Sequence, residues 1–119
     1  MLSIHLHKLL FYCYHGVHEE EKLVGGEFEV NVTIDYQPLS LPVKHIKETI
    51  DYVSIYEVVK KRMASPTELL ETIVTELATE MLAKFPLVEE AHVSITKLNP
   101  PITSMQGSVG VSFTLKRKQ

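Results

Sequence analysis

The pattern of apolar and polar positions along the chain predicts four β-strands. Between residues 27 and 36, and again between 91 and 96, the two kinds of side chain alternate strictly, which is typical of strands with one buried face. Segments near the two ends of the chain also predict strands, although His5 and His7 leave the inner face of the first strand undecided. The predicted strands are residues 3–12, 27–36, 91–96 and 109–115.

A first helix is predicted shortly after residue 50. Ser54 and Glu57 have the spacing of a capping box, in which each side chain hydrogen-bonds to the backbone of the other residue. Residues 49–53, just before this box, are predicted to be extended. The apolar stripe of the helix, at the spacing of one helix face, consists of Ile55, Val58, Val59 and Met63.

A second helix is predicted to begin at Ser65. Serine is a favoured N-cap, and Pro66 and Glu68 suit the first and third helical positions. The helix should end near Phe85, because Pro86 cannot continue it. Its predicted apolar stripe consists of Leu69, Leu70, Ile73, Leu77 and Met81.

The predicted order of elements, ββααββ, indicates an α+β fold. Three strands have one apolar and one polar face, so both helices should cover the same side of a four-stranded antiparallel sheet. Such a sheet leaves unpaired backbone groups on its two edge strands. Joining these edges between subunits, so that several sheets close into a barrel, is one way to protect them.

The composition fits a single domain covering residues 1–119 and argues against several partners. Twelve Lys and Arg against 15 Asp and Glu give a net charge of −3, whereas nucleic-acid binding needs a concentrated basic face. The one cysteine, Cys13, excludes an internal disulfide and fits a reducing compartment. No stretch predicts a signal peptide or a membrane span. We therefore expect a cytoplasmic protein with neither nucleic-acid nor membrane partners.

Three isolated polar residues combine into a candidate active site. Lys97 has the parity of the apolar residues of the third strand, so its ammonium group points toward the helix side of the sheet. Glu71 is predicted in the second turn of the second helix, and Tyr52 just before the first helix. Each alone is typical of an ordinary structural role, but together they offer a base, an acid and a carboxylate anchor. Aromatic, imidazole and carboxylate groups are also concentrated between residues 12 and 21.

Four segments of the chain, in this order, resemble the signatures of the dihydroneopterin aldolase family. They are Tyr12-x-Tyr14-His15-Gly16 with Glu21, Thr49-Ile50-Asp51-Tyr52, Leu69-Leu70-Glu71, and Ile95-Thr96-Lys97-x-Asn99-Pro100-Pro101-Ile102. The resemblance covers essentially the whole chain. It implies a tunnelling fold (T-fold), a homo-oligomer in which the sheets of four subunits join into a barrel and two such rings commonly stack as an octamer.

The activity that this resemblance implies is a retro-aldol cleavage in folate biosynthesis. 7,8-Dihydroneopterin would lose glycolaldehyde to give 6-hydroxymethyl-7,8-dihydropterin. By resemblance, Lys97 and Tyr52 transfer protons, and Glu21, the third catalytic residue, holds the hydroxylated side chain. Glu71 would accept two hydrogen bonds from the pterin. The other implied substrate contacts are Leu70, Tyr52, Val17 and Ile50. No metal and no cofactor is implied, because the N5=C6 imine of the dihydropterin accepts the electrons of the broken bond.

The chain departs from the family pattern at several positions. Cys13 stands where the family usually has glycine, which puts the end of the first strand in question. Gly26 replaces a common glutamine. Leu98 and Thr103-Ser104 differ as well and adjoin Lys97, so they bear on substrate preference more than on the reaction class.

Three alternatives stay open on the sequence alone. A dihydroneopterin triphosphate epimerase shares several of these elements, but Tyr14-His15-Gly16 and Asn99-Pro100-Pro101-Ile102 resemble the aldolase more. A zinc enzyme like the pyruvoyl-tetrahydropterin synthases is the second alternative. Its candidate ligands are His5, His7, His15 and His18. A metabolite-binding domain without catalysis is the third, and it would tolerate the loss of Lys97 and Tyr52 with its affinity intact.

Overall fold

A computed structural model describes residues 1–100, 102 and 104–118, and its four strands form one antiparallel sheet in chain order. The strands are β1 (Leu2–Cys13), β2 (Gly26–Tyr36), β3 (Val88–Lys97) and β4 (Val109–Lys116). The helices are α1 (Glu19–Val24), α2 (Tyr52–Met63) and α3 (Leu70–Lys84), with a short 3-10 turn at Ile46–Glu48. The predicted α+β fold with a four-stranded antiparallel sheet is therefore confirmed. None of the helices that the structure describes is long and apolar enough to cross a membrane.

Helices α2 and α3 cover one face of the sheet, as predicted. α2 packs beside β1, and α3 packs against β3 and β4. The inward side chains of the two central strands are at most 4% exposed, which confirms the predicted alternation. They are Phe28, Val30, Val32, Ile34 and Tyr36 on β2, and Val88, Ala91, Val93 and Ile95 on β3. Strands β1 and β4 form the two edges of the sheet within this chain.

A bulge in β1 decides which of its faces is buried. The pairing with β2 shifts register between Leu6 and Leu9, and Lys8 adopts a left-handed conformation with a φ of 52°. The backbone N–H of Lys8 donates to the side-chain oxygen of Asn31 on β2 (2.8 Å). Because of the bulge, even-numbered residues face the helices before Lys8 and odd-numbered residues after it. The inward residues are Ile4, Leu6, Leu9 and Phe11, while His5 and His7 are exposed.

Helix α2 has its N-cap three residues before the predicted one at Ser54. Asp51 is its N-cap, and the Asp51 carboxylate accepts a hydrogen bond from the backbone N–H of Val53 (2.9 Å). The capping box at Ser54 was therefore a wrong prediction, as was the extended conformation of Tyr52 and Val53. The predicted apolar stripe of this helix is confirmed, since all four of its residues are buried.

Helix α3 begins at Leu70, so the predicted N-cap at Ser65 is wrong. The segment before it is held in a loop by tertiary hydrogen bonds instead. The backbone N–H of Thr67 donates to Nδ1 of His15 (3.1 Å), and the Thr67 carbonyl accepts from the backbone N–H of Gly16 (3.0 Å). These bonds occupy backbone groups that a helix starting at Ser65 would have used, so the local start signals are overridden.

The late start of α3 changes the position of two predicted residues. Glu71 lies in the first turn of the helix rather than the second, where its charge suits the positive end of the helix dipole. Leu69 precedes the helix and is 50% exposed, so it does not belong to the buried stripe. The other predicted members of the stripe are buried: Leu70, Ile73, Leu77 and Met81.

The short helix α1 was not predicted. Its six residues are too few to show a helical repeat, and its first turn contains three glutamates, Glu19 to Glu21, that resemble a solvated loop. Glu21 nevertheless points inward and is 9% exposed. A single turn of helix thus converts a run of acidic residues into one buried carboxylate and two exposed ones.

Candidate active site

A cavity of about 280 Å³ lies where the beginning of α3, the helix α1 and the end of β3 meet. Five residues predicted for the site line it, and they come from four separate segments of the chain. They are Val17, Glu21, Leu70, Glu71 and Lys97. The fold therefore brings together the predicted ammonium group, two predicted carboxylates and two predicted apolar contacts.

An ion pair between Glu21 and Lys97 forms the polar wall of the cavity. Nζ of Lys97 donates a hydrogen bond to Oε2 of Glu21, and the side chains are 19% and 8% exposed. The backbone N–H of His18 donates to the other carboxylate oxygen (3.3 Å). Burial raises the pKa of Glu21, but the hydrogen bonds from Lys97 and His18 and their charges outweigh it, so the net pKa lies below the ordinary 4.5. Glu21 is therefore a carboxylate at neutral pH.

Gly16 allows the loop after β1 to pass directly over the Glu21 carboxylate. A Cβ atom at residue 16 would lie 2.4 Å from Cδ of Glu21, and the φ of Gly16 is +150°, a value that favours glycine. Gly16 is therefore required sterically by the position of Glu21. This explains why a glycine and a glutamate five residues apart belong to one arrangement.

The opposite wall of the cavity comes from the first turn of α3. Leu70 is 7% exposed and offers an apolar surface, and Glu71 follows it with an exposed side chain. In the described part of the chain, no hydrogen bond or ion pair engages the Glu71 carboxylate. This acceptor is therefore free to bind a ligand beside an apolar surface.

Two predicted site residues do not line the cavity. Ile50 is 6% exposed and belongs to the hydrophobic core, whereas Tyr52 is 65% exposed at the beginning of α2. Neither residue appears among those that surround the cavity. Within one chain, the structure therefore joins Glu21, Glu71 and Lys97 but leaves Tyr52 outside.

The departures from the family pattern disturb the fold little. Cys13 is buried as the last residue of β1 and pairs with Gly26, so the strand continues to its expected end. The backbone N–H of Leu98 donates to the carbonyl of Glu27 (3.1 Å). The predicted positions Pro101 and Thr103 lie outside the described residues.

A second, smaller cavity of about 180 Å³ shares Glu21 and Lys97 with the first and is also lined by His15 and Asn99. His15 was not among the predicted site residues. Its ring is 1% exposed, lies edge-on against Phe28 with 5.2 Å between ring centroids, and accepts the hydrogen bond from Thr67. The available sequence signal was its place directly before Gly16, at the end of a strand.

The histidines considered as metal ligands do not cluster at the cavity. His5 and His7 stack on each other with 5.5 Å between ring centroids, on exposed positions of β1. Across residues 1–100, 102 and 104–118, the one group of three ligand side chains in metal-binding proximity is Asp35, Glu90 and His92. The prediction that catalysis needs no metal remains a prediction.

Comparison with known proteins identifies the family. A model of the dihydroneopterin aldolase family matches residues 4–114. The chain is 31% identical to the dihydroneopterin aldolase of Bacillus subtilis over 98% of its own length and 99% of the relative's. It is 33% identical to the Staphylococcus epidermidis enzyme of the same name, over 92% and 93% of the two chains. A crystal structure of E. coli dihydroneopterin aldolase in complex with neopterin has the same fold, with a TM-score of 0.84 at 18% identity and coverage of 97% and 99%. The chain belongs to the dihydroneopterin aldolase family.

Proposed function

We propose that this protein is a dihydroneopterin aldolase, which cleaves 7,8-dihydroneopterin into 6-hydroxymethyl-7,8-dihydropterin and glycolaldehyde. The observation that carries the proposal is one cavity lined both by a free carboxylate, Glu71, and by the ion pair of Glu21 and Lys97. The volume of about 280 Å³ is near the lower end for small-molecule sites. The neopterin in the E. coli structure supports a pterin as the ligand class.

The reaction needs proton transfer more than it needs a reactive cofactor. Removing the proton from the 2′-hydroxyl group of the substrate lets the C1′–C2′ bond break, and the aldehyde forms at C2′. The electrons of that bond enter the N5=C6 imine of the dihydropterin and leave an enol-like carbon at C1′. Protonation of C1′ then completes the hydroxymethyl product, so the proton removed from the hydroxyl is balanced by the one added to carbon.

The residues of the cavity suit these steps. Glu71 accepts two hydrogen bonds from the 2-amino and N3 groups of the pterin, while Leu70 and Val17 contact the flat ring. Lys97 stands at the far wall, where its ammonium group serves the proton transfer with an ordered water. Glu21 orients Lys97 through their hydrogen bond, and it accepts hydrogen bonds from the hydroxyl groups of the substrate's side chain.

Tyr52 is proposed to complete the site of a neighbouring subunit. Tyr52 is exposed and remote from the cavity of its own chain, and the edge strands β1 and β4 each have one unpaired side in the chain. Joining these edges in a ring of four sheets, with two rings stacked as an octamer, would bring Tyr52 to the adjacent cavity and protect both edges. Residues 1–119 would act as one domain in the cytoplasm, which the free thiol of Cys13 suits.

The direct test is to incubate the purified protein with 7,8-dihydroneopterin and, separately, with its triphosphate, and to separate the products by chromatography. We expect 6-hydroxymethyl-7,8-dihydropterin and glycolaldehyde in equal amounts from the unphosphorylated substrate. Epimerisation of the triphosphate without cleavage of either compound would replace this proposal with the epimerase. Pterin binding with no turnover of either compound would leave only a binding domain.

The proposed mechanism also makes a chemical prediction, because the electron sink belongs to the substrate. Activity should survive exhaustive chelation and treatment with borohydride in the presence of substrate. Inactivation by EDTA that zinc reverses would require a metal, and trapping by borohydride would require a Schiff base on a lysine.

A further inference from the structure

We propose that His15 is the positioning residue of this site, because it ties together the two walls of the cavity that hold opposite ends of the substrate. One wall is the loop 14–18 with α1, which carries Glu21, and the other is the segment 67–71, which carries Glu71. The inference rests on the proposed function for its substrate. It goes beyond that function because it assigns a role to a residue that touches neither substrate nor reacting atoms.

A reciprocal pair of hydrogen bonds joins the two walls. The backbone N–H of Gly16 donates to the carbonyl of Thr67 (3.0 Å), and the backbone N–H of Thr67 donates to Nδ1 of His15 (3.1 Å). Because His15 and Gly16 are adjacent and both bond to Thr67, the two hydrogen bonds fix the orientation of the two segments as well as the distance between them. Thr67 lies three residues before Leu70, so this connection determines where α3 and its Glu71 side chain begin.

The same loop is also fixed to the catalytic ion pair. The His15 ring packs edge-on against Phe28, and Phe28 lies opposite Lys97 in the pairing of β2 with β3. On the next residue, Gly16 is in close contact with the carboxylate of Glu21. His15 and Gly16 therefore contact residues beside each part of the site. Phe28 connects His15 to Lys97, Gly16 lies against Glu21, and Thr67 connects both residues to the segment that begins α3.

The ring is suited to accept the Thr67 hydrogen bond at neutral pH. The pKa of His15 is lowered to about 4, mainly by burial and also by the charges of Arg62 and Lys97, while the Met63 backbone opposes this shift. A neutral ring with a proton on Nε2 leaves Nδ1 free as an acceptor. Nε2 is buried without a hydrogen-bond partner among the described residues. An apolar side chain could not accept the Thr67 hydrogen bond, so core packing alone does not account for histidine at this position.

The test compares two substitutions of nearly the same shape, His15→Asn and His15→Leu. Asparagine can place its side-chain oxygen where Nδ1 accepts the Thr67 hydrogen bond, whereas leucine offers no acceptor. His92→Asn is the matched control, because it removes an imidazole that hydrogen-bonds to Thr114 and Asp35 on the sheet and does not line the cavity. For each variant, kcat and KM for 7,8-dihydroneopterin are measured per folded site, together with thermal stability.

We expect His15→Leu to lower kcat about tenfold or more, since a displacement of the order of 1 Å is enough to cost about 100-fold. His15→Asn should recover kcat to within fivefold of the parent. A purely structural role would lower the melting temperature of both variants and leave kcat per folded site unchanged. A His15→Leu variant whose kcat stays within fivefold of the parent, or a His15→Asn variant as impaired as His15→Leu, would overturn the proposal.

A measurement on the unaltered protein decides the matter if His15→Leu does not fold. The backbone amides of Gly16 and Thr67 should resist hydrogen exchange without any ligand, because the two walls are joined before substrate binds. Rapid exchange at either amide would refute the connection. Failure of the proposed function can be told apart from failure of this inference. If the proposed function is wrong, the parent and His92→Asn also cleave no dihydroneopterin, whereas the exchange of the Gly16 and Thr67 amides still tests the connection through His15.

Discussion

Replacing Lys97 by methionine should destabilise the fold as well as abolish turnover, because it leaves the Glu21 carboxylate without its partner. Breaking a buried ion pair by removing one partner costs about 3–5 kcal/mol. Lys97 keeps 19% of its side chain exposed, so water can partly replace it, and we expect about 3 kcal/mol at pH 7, the lower end of that range. Methionine keeps most of the length of the lysine stem, so the change tests the charge rather than the packing.

The pH dependence of this loss follows from the pKa of Glu21. That pKa is lowered in the folded protein, so the stability from the pair is present above the ordinary value of 4.5 and is lost as the pH falls through the folded-state pKa. The difference in unfolding free energy between the parent and Lys97→Met should therefore be full at pH 7 and shrink as the pH falls, starting above 4.5 because burial raises the pKa of Glu21 once Lys97 is absent. A difference that grows as the pH falls would have the wrong sign for this explanation.

Urea unfolding at a fixed protomer concentration measures these differences, because assembly makes the apparent stability depend on concentration. Lys22→Met is the matched control. Lys22 pairs with Glu68 at 3.4 Å, but the two side chains are 40% and 67% exposed, so this loss should stay under about 1 kcal/mol. The double variant Lys97→Met, Glu21→Gln should regain part of the stability. If Lys97→Met destabilises no more than Lys22→Met, or if the double variant regains nothing, the buried carboxylate is not the cause.

Three further predictions address the cavity. Glu71→Ala should weaken pterin binding at least tenfold in calorimetry, because hydrogen bonds to a charged group contribute about 1.5–3 kcal/mol each; unchanged binding would remove Glu71 from the site. Gly16→Ala should lower kcat about 100-fold, since the new Cβ must move about 1 Å to reach ordinary contact with Glu21, whereas Gly26→Ala meets nothing within 4 Å and should be neutral. Tyr52→Phe and Glu71→Ala variants, each poorly active, should recover about one site in four when unfolded together in equal amounts and reassembled; verified mixed oligomers with no recovered activity would place the whole site within one chain.

The period-two pattern predicted the sheet well because its central strands are buried on one face only. Within residues 27–36 and 91–96, the alternation predicts which side chains face inward and which face outward, and the structure confirms this assignment. The parity of Lys97 followed from the same pattern and placed its ammonium group on the helix side, where it meets Glu21. The resemblance to the family, which the comparisons confirm, already implied the reaction class.

The parts that the sequence did not reveal depend on contacts between distant segments. The Ser65 start signal was locally sound, but Thr67 is bound by a loop 52 residues earlier in the chain. The contact between Gly16 and Glu21 depends on α1, which is too short to have a periodic signature. His15 was predicted only as part of a family signature and as a candidate metal ligand, because its contact with Thr67 cannot be deduced from its place at the end of a strand.

The bulge at Lys8 determines which side chains of β1 face the helices in the half of the strand that leads to the active site. Downstream of it, alternation runs from Leu9 to the buried Cys13, and the chain enters the loop that presents His15 and Gly16. If all twelve residues of β1 were kept but paired regularly with β2, without the bulge, either the half before Lys8 or the half after it would turn its apolar side chains to the opposite face. Loss of the bulge from this edge strand, several residues from any catalytic group, would therefore change which side chains face the core. The hydrogen bond from the backbone N–H of Lys8 to the side chain of Asn31 on β2 stabilises the bulge.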